Sequence, residues 1–173
     1  MMRYTDPLAI EYLNKLRRLK TAAQKTVDNI ARWEVNLANK DKELAAPIAC
    51  YGEKTGQAKP GSSVVERLAL REEMLREKIN RAKVALYNLR QDIYKLEMPL
   101  EYLLLEERDI TTEHFLEGYN WSFIGTSRHR SRQWAYNKGV QGVKNLAGIL
   151  RRPEFAELIR SYLTADSVSD CAG

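Results

Sequence analysis

Between residues 68 and 96 the apolar side chains Leu68, Leu75, Ile79, Ala82, Leu86, Leu89, Ile93 and Leu96 recur at alternating spacings of four and three, interrupted only at Glu72. That period puts all of them on one stripe of an α-helix and on no single face of a strand. It therefore commits this stretch to a long amphipathic helix that needs an apolar partner. A start signal precedes it: Ser63 with Glu66 three residues on forms a capping box, in which each side chain satisfies the other's free backbone N–H.

A second long helix is expected upstream. Asp6 followed by Pro7 reads as an N-cap with proline in the first turn, where its missing N–H does no harm. From there Leu16, Ala23, Ile30, Leu37 and Leu44 recur every seven residues, with Leu13 and Val27 in an offset register diluted by Lys20, Glu34 and Asp41. The intervening AAPIACYGEKTGQAKPGS, about residues 45–62, holds Pro47, Gly52, Gly56, Pro60 and Gly61 and is expected to be a loop. Residues 1–99 thus form a helical hairpin or coiled-coil arm. Pairing within the chain is favoured by its smaller loop-closure cost, with homodimerisation through the same seam as the competing arrangement.

A chain of 173 residues with 44% hydrophobic content can bury a core. It has no apolar run long enough to span a membrane, and MMRYTDPLAIEYL lacks a signal-like apolar segment, which points to a cytoplasmic protein. Cys50 and Cys171, far apart in a loop and a tail, suit reduced thiols. Met98-Pro99 ends the long-helix pattern, because proline cannot continue a helix interior without losing a hydrogen bond. Beyond it, residues 100–117 make an acidic amphipathic stretch in which Leu103 or Leu104, Ile110, Phe115 and Leu116 are available for a core, with Gly118 as its stop.

The net charge of +5 is modest, but its distribution is not. Positions 120–152, a stretch of 33, carry Arg128, Arg130, Arg132, Lys138, Lys144, Arg151 and Arg152 and no acidic residue. Just before them Glu101, Glu106, Glu107, Asp109, Glu113 and Glu117 accompany a single Arg108, so the sign of the charge reverses near Tyr119. A purely cationic segment suits contact with a polyanion better than a plain solvated face does.

The segment also has the grammar of a helix-turn-helix. NWSFIGTS reads as a short helix with Trp121 and Ile124 inward, and Ser131 as the N-cap of a second helix beginning RQWAYNKGVQGV. A second helix of this kind enters the major groove, where residues near its N-terminus reach base edges. Arg132 can present a two-donor fork to guanine and Gln133 can bond both ways to adenine, with Asn137 one turn on over the same face. Arg128 and Arg130 in the turn are expected to grip phosphates, and Tyr136 and Lys138 to touch base or backbone. Gly139 and Gly142 disfavour helix and are expected to end it near Gly139. RRPEFAELIRSYL then suggests a last helix with Phe155, Leu158, Ile159 and Tyr162 on one stripe, and residues 164–173 a fraying tail.

The stretch from Leu105 to Leu150, with Leu104 before it, resembles the C-terminal helix-turn-helix of phage-encoded transcriptional regulators of the ArpU/RinA kind, itself similar to the sigma factor domain that reads the −35 promoter element. The resemblance rests on Leu104, Glu107 and Arg108, the Gly118-Tyr119 helix end, the Trp121/Ile124 scaffold, the Ser131 cap, Ala135, Val143 and Leu146. It implies an all-α fold, double-stranded DNA as partner, and an activator of phage or prophage late genes that cooperates with host RNA polymerase. Two other classes fit parts of the same pattern: a DNA-packaging subunit like a small terminase, and a helical adaptor or inhibitor that covers a host complex. Catalysis is not indicated. There is no phosphate-binding glycine loop, no nucleophile motif, and no partner for His114 or His129 at metal-ligand spacing, so neither cofactor nor metal is expected.

Overall fold

The structure, a computed structural model, describes residues 6–45 and 64–163, and every regular element among them is helical. The loop expected at 45–62, Ser63 and the tail at 164–173 lie almost wholly outside the described residues. Helix α1 spans Pro7–Ala45 and α2 spans Val64–Glu97. A 3-10 turn, Met98–Tyr102, leads to α3 at Leu105–Thr111, which continues as a π-helical turn over Thr112–Leu116. Then come α4 at Trp121–Ser127, α5 at Arg132–Leu150 and α6 at Pro153–Leu163. The chain is all-α.

Each start has a local cause. Asp6 Oδ1 accepts from the backbone N–H groups of Leu8 and Ala9 at 3.2 and 3.4 Å, beside Pro7 at the first helical position. Asn120 Oδ1 accepts from Phe123 N–H at 2.8 Å to open α4, and Ser131 Oγ accepts from Trp134 N–H at 3.1 Å to open α5. Gly118, at φ +83°, takes the left-handed turn that ends the π segment.

Contacts group the chain into two units: residues up to 22 with those from 89 onward, and residues 23–88. A boundary at residue 99 does not coincide with this division, because both long helices contribute to both units. In the 23–88 unit α1 and α2 are joined by polar contacts beside a few buried apolar side chains. Ile30, Ile79 and Leu86 are buried there, Lys83 Nζ meets Glu34 Oε1 at 2.7 Å, and Lys78 sits over the Trp33 ring at 4.4 Å.

In the other unit the start of α1 serves the C-terminal helices. Ala9, Tyr12, Leu13 and Leu16, at the i, i+3, i+4, i+7 positions of one face, join Leu96, Leu100 and Leu103 in burying Val143, Leu146, Ala147, Ile149 and Leu150 of α5 and Phe155 of α6. The reason is the end of α5 itself: VKNLAGIL is apolar on more than one side, so a single neighbour cannot cover it. Full burial of each leucine or isoleucine contributes about 1.5–3 kcal/mol. Of the two leucines offered by the acidic stretch, Leu103 is buried and Leu104 is 69% exposed.

Helix α5 does not end at Gly139. It runs through both glycines to Leu150, and both are buried. A Cβ on Gly139 would lie 2.4 Å from the Trp121 ring, and one on Gly142 would lie 2.4 Å from Thr111 Oγ1. The missing side chains let α3 and α4 approach the α5 backbone, and this packing outweighs the roughly 1 kcal/mol that each glycine costs a helix interior. Gly148, on the exposed side, has nothing within 4 Å of its Cβ position.

These placements predict opposite signs along one helix. Gly148→Ala is expected to raise stability by about 1 kcal/mol, and Gly139→Ala to lower it by about 1–3 kcal/mol through overpacking against Trp121, both read by denaturant unfolding. A second prediction concerns α6. Tyr162 Oη donates to Asp92 Oδ1 at 2.6 Å, and this bond, ahead of burial, pushes the phenol up to about 12 from 10.0. Because the folded value is raised, the contribution is complete below pH 10 and lost as pH rises through about 12. Alkaline unfolding of the parent should contain that step and Tyr162→Phe should lack it.

Candidate nucleic-acid interface

Helices α4 and α5 pack on each other across the three-residue turn Arg128–Arg130. The turn is closed by backbone bonds from Arg128 N–H and Arg130 N–H to the Gly125 carbonyl at 3.2 and 2.8 Å, with His129 left-handed at φ 54°. Ile110, Ile124 and Ala135 form a small buried core beneath, with Trp121 and Trp134 packed against it. Trp121 is the structural centre of the pair. The His114 ring stacks on it at 3.6 Å, Tyr136 meets it edge-on at 5.9 Å, and the Gly139 backbone lies against it. His114 Nδ1 lies 2.7 Å from the Tyr119 carbonyl, which can only accept, so the nitrogen carries the hydrogen. Burial holds this imidazole below the ordinary histidine range.

The eight residues expected to meet DNA divide into distinct groups. Arg132, Gln133 and Asn137 are exposed on one side of the first turns of α5. Arg132 has no hydrogen bond or ion pair among the described residues, while Gln133 Nε2 donates to Asn137 Oδ1 at 2.9 Å. Arg130 is exposed and its guanidinium stands 5.9 Å from the Trp134 ring. Ser131 acts as the cap, and Tyr136 is half-buried against Trp121.

Arg128 and Lys138 are engaged within the protein. Arg128 Nη2 donates to Glu113 Oε1 at 2.6 Å, with both side chains only about a quarter exposed. This ties the turn to the π segment after α3. Lys138 Nζ meets Glu106 Oε2 at 2.7 Å. Its hydrogen bond to Glu106, joined by the attraction of that carboxylate, holds the ammonium above the usual lysine range. At the far end Arg151 reaches Asp6 at 2.5 Å and Arg152 lies 3.7 Å from Glu154. The acid-free stretch is therefore complemented by carboxylates from α3, the π segment after it, the cap of α1 and the start of α6.

A further polar row was not anticipated from sequence. Gln141 Nε2 donates to Asn145 Oδ1 at 2.9 Å, and Asn145 Nδ2 donates to the buried Glu107 carboxylate at 2.8 Å. The available signal was spacing: Gln133, Asn137, Gln141 and Asn145 recur every four residues and so line one side of α5. The outer surface at the start of α5 thus presents one guanidinium and a linked amide pair, with a second guanidinium held by an indole.

Removing Glu113 and Arg128 singly and together is expected to show a coupling of about 0.5–3 kcal/mol in unfolding, as for contacting partners in one network. Additive effects would leave Arg128 available for an outside anion. Compared with family models, curated proteins and solved structures, the chain matches none of them, so the reading of this surface rests on its own geometry.

Proposed function

We propose that the chain binds double-stranded DNA sequence-specifically through the start of α5, and that this binding regulates transcription. The observation that carries the reading is the exposed row of Arg132, Gln133 and Asn137 at the capped N-terminus of a helix that follows a short helix and a three-residue turn. A major groove admits such a helix, and its base edges are read by side chains of these types.

The amide pair acts as a unit in this reading. With Gln133 Nε2 committed to Asn137 Oδ1, Gln133 keeps an acceptor oxygen and Asn137 keeps donor hydrogens. An acceptor beside a donor complements the N6 amine and N7 of adenine. Arg132 offers guanine its fork, and Arg130 is left to meet phosphates.

Arg128 and Lys138 have carboxylate partners already, so the duplex meets fewer open cations than the sequence count suggests. Each phosphate neutralised contributes about 0.9 to the slope of log affinity against log salt, and the one or two contacts open to Arg130 and Arg132 make a shallow slope with modest affinity. A protein of that kind works with a second DNA-bound partner. A second copy or a host RNA polymerase fills that place in the proposed activator of phage or prophage late genes, of the ArpU/RinA kind. The role is binding rather than catalysis.

Selection of bound sites from a randomised duplex pool tests the reading. Enrichment of a short motif is expected, with Arg132→Ala and Gln133→Ala relaxing preference at single positions by about 1–3 kcal/mol and Arg130→Ala lowering the salt slope by about 1 without changing the motif. Arg128→Ala should act through stability instead. No enrichment and no duplex binding at low salt would leave the adaptor reading, and a ring-sized mass in solution the packaging one.

A further inference from the structure

A second surface on α5 has no part in that reading. Between the segment Tyr102–Leu104 and the C-terminal half of α5 lies an open groove of about 470 Å³, within the size range of about 300–1,000 Å³ usual for pockets that take a ligand. Buried Leu103 and Ile149 line it, and at its side Tyr102 and Leu104 stand 52% and 69% exposed. Leu105, next in the chain, is 65% exposed. Over Gly148 the lining opens, since nothing lies within 4 Å of its Cβ position.

Two cations stand at this groove. Lys144 has no ion pair or hydrogen bond among the described residues, and Arg152, 3.7 Å from Glu154, lies with its guanidinium 5.7 Å from the Tyr102 ring. The carboxylate in the lining, Glu107, already accepts from Asn145. A groove of mixed lining, with Leu103, Leu104 and Ile149 beside Lys144 and Arg152, selects an occupant that has leucine-like side chains and carboxylates together.

The occupant's backbone is constrained as well. Every regular element among the unit's described residues is helical, with no strand edge for an added strand, so an incoming segment satisfies within itself the N–H and C=O groups that it buries in the groove. That requirement is met by a helix. We infer that the groove over Gly148 docks an acidic amphipathic helix of a protein partner, one apolar side chain seated over Gly148 and its carboxylates facing Lys144 and Arg152. The inference stands whether or not α5 reads DNA.

The probe is a short labelled helix-forming peptide with leucines one turn apart and glutamates between them, titrated onto the full chain by fluorescence anisotropy. Gly148→Leu fills the groove from a position where a Cβ meets nothing, so it should fold at least as well as the parent, checked by thermal unfolding. Saturable binding is expected, at least about tenfold weaker in Gly148→Leu and in the double variant Lys144→Glu/Arg152→Glu. A peptide with lysines in place of the glutamates should bind the double variant in preference to the parent. Four results would overturn the inference: equal binding of the two peptides to the parent, no effect of Gly148→Leu on the glutamate peptide, displacement of the peptide by duplex with loss of duplex binding in Gly148→Leu, or a concentration-dependent dimer that Gly148→Leu abolishes. The last two would assign the groove to nucleic acid or to a second copy of the chain.

Discussion

The close approach of α3 and α4 to the backbone of α5 sets the orientation of everything around it. Trp121 and Thr111 occupy the space that side chains at 139 and 142 would fill. With that face fixed inward, Ala135, Val143 and Leu146 follow it into the interior, and Arg132, Gln133 and Asn137 are left on the outside. The indole is held in turn by the His114 ring and the edge of Tyr136. A tightly packed centre of this kind transmits small volume changes, since interiors have little free space to absorb them.

Electrostatics reinforces the same arrangement. The acidic residues that precede Tyr119 and the basic residues that follow it fold against each other, and Glu113–Arg128 and Glu106–Lys138 join the two stretches at the α4–α5 turn and at the second turn of α5. The reversal of sign was legible in the sequence. What was not legible is that the two halves meet, because a list of charges carries no distances. An acid-free run therefore overstates the cation available to an outside anion whenever an acidic helix lies next to it in the fold.

The same distinction governs the hydrophobic pattern. Helical spacing identified α1, α2 and the stripe of α6, and the side chains of Asp6, Asn120 and Ser131 all accept cap bonds where helices begin. Spacing defines a face and leaves its partner open. Ala9, Tyr12, Leu13 and Leu16 have the period of a coiled-coil seam, yet they cover α5 and α6, since the end of α5 exposes apolar side chains in more than one direction and the chain's first turns are available to bury them. The glycines of α5 mislead for a related reason. Propensity is a local quantity worth about 1 kcal/mol per residue, whereas the reward for a missing Cβ comes from residues distant along the chain, Trp121 for Gly139 and Thr111 for Gly142.

One helix then carries two chemically different surfaces. From Asn137 to Gly148 is eleven residues, a rise of about 16 Å, so the Gln133–Asn137 pair and the groove belong to the same rigid rod while remaining far enough apart for two occupants. A protein with few open cations on its proposed reading face gains affinity by binding a second component at the same time, because the second event proceeds at a raised effective concentration. A groove on the same rod as the reading face is a place for that component. Its geometry also separates the two proposed roles: a change over Gly148 alters the groove without touching the residues that face the proposed base edges.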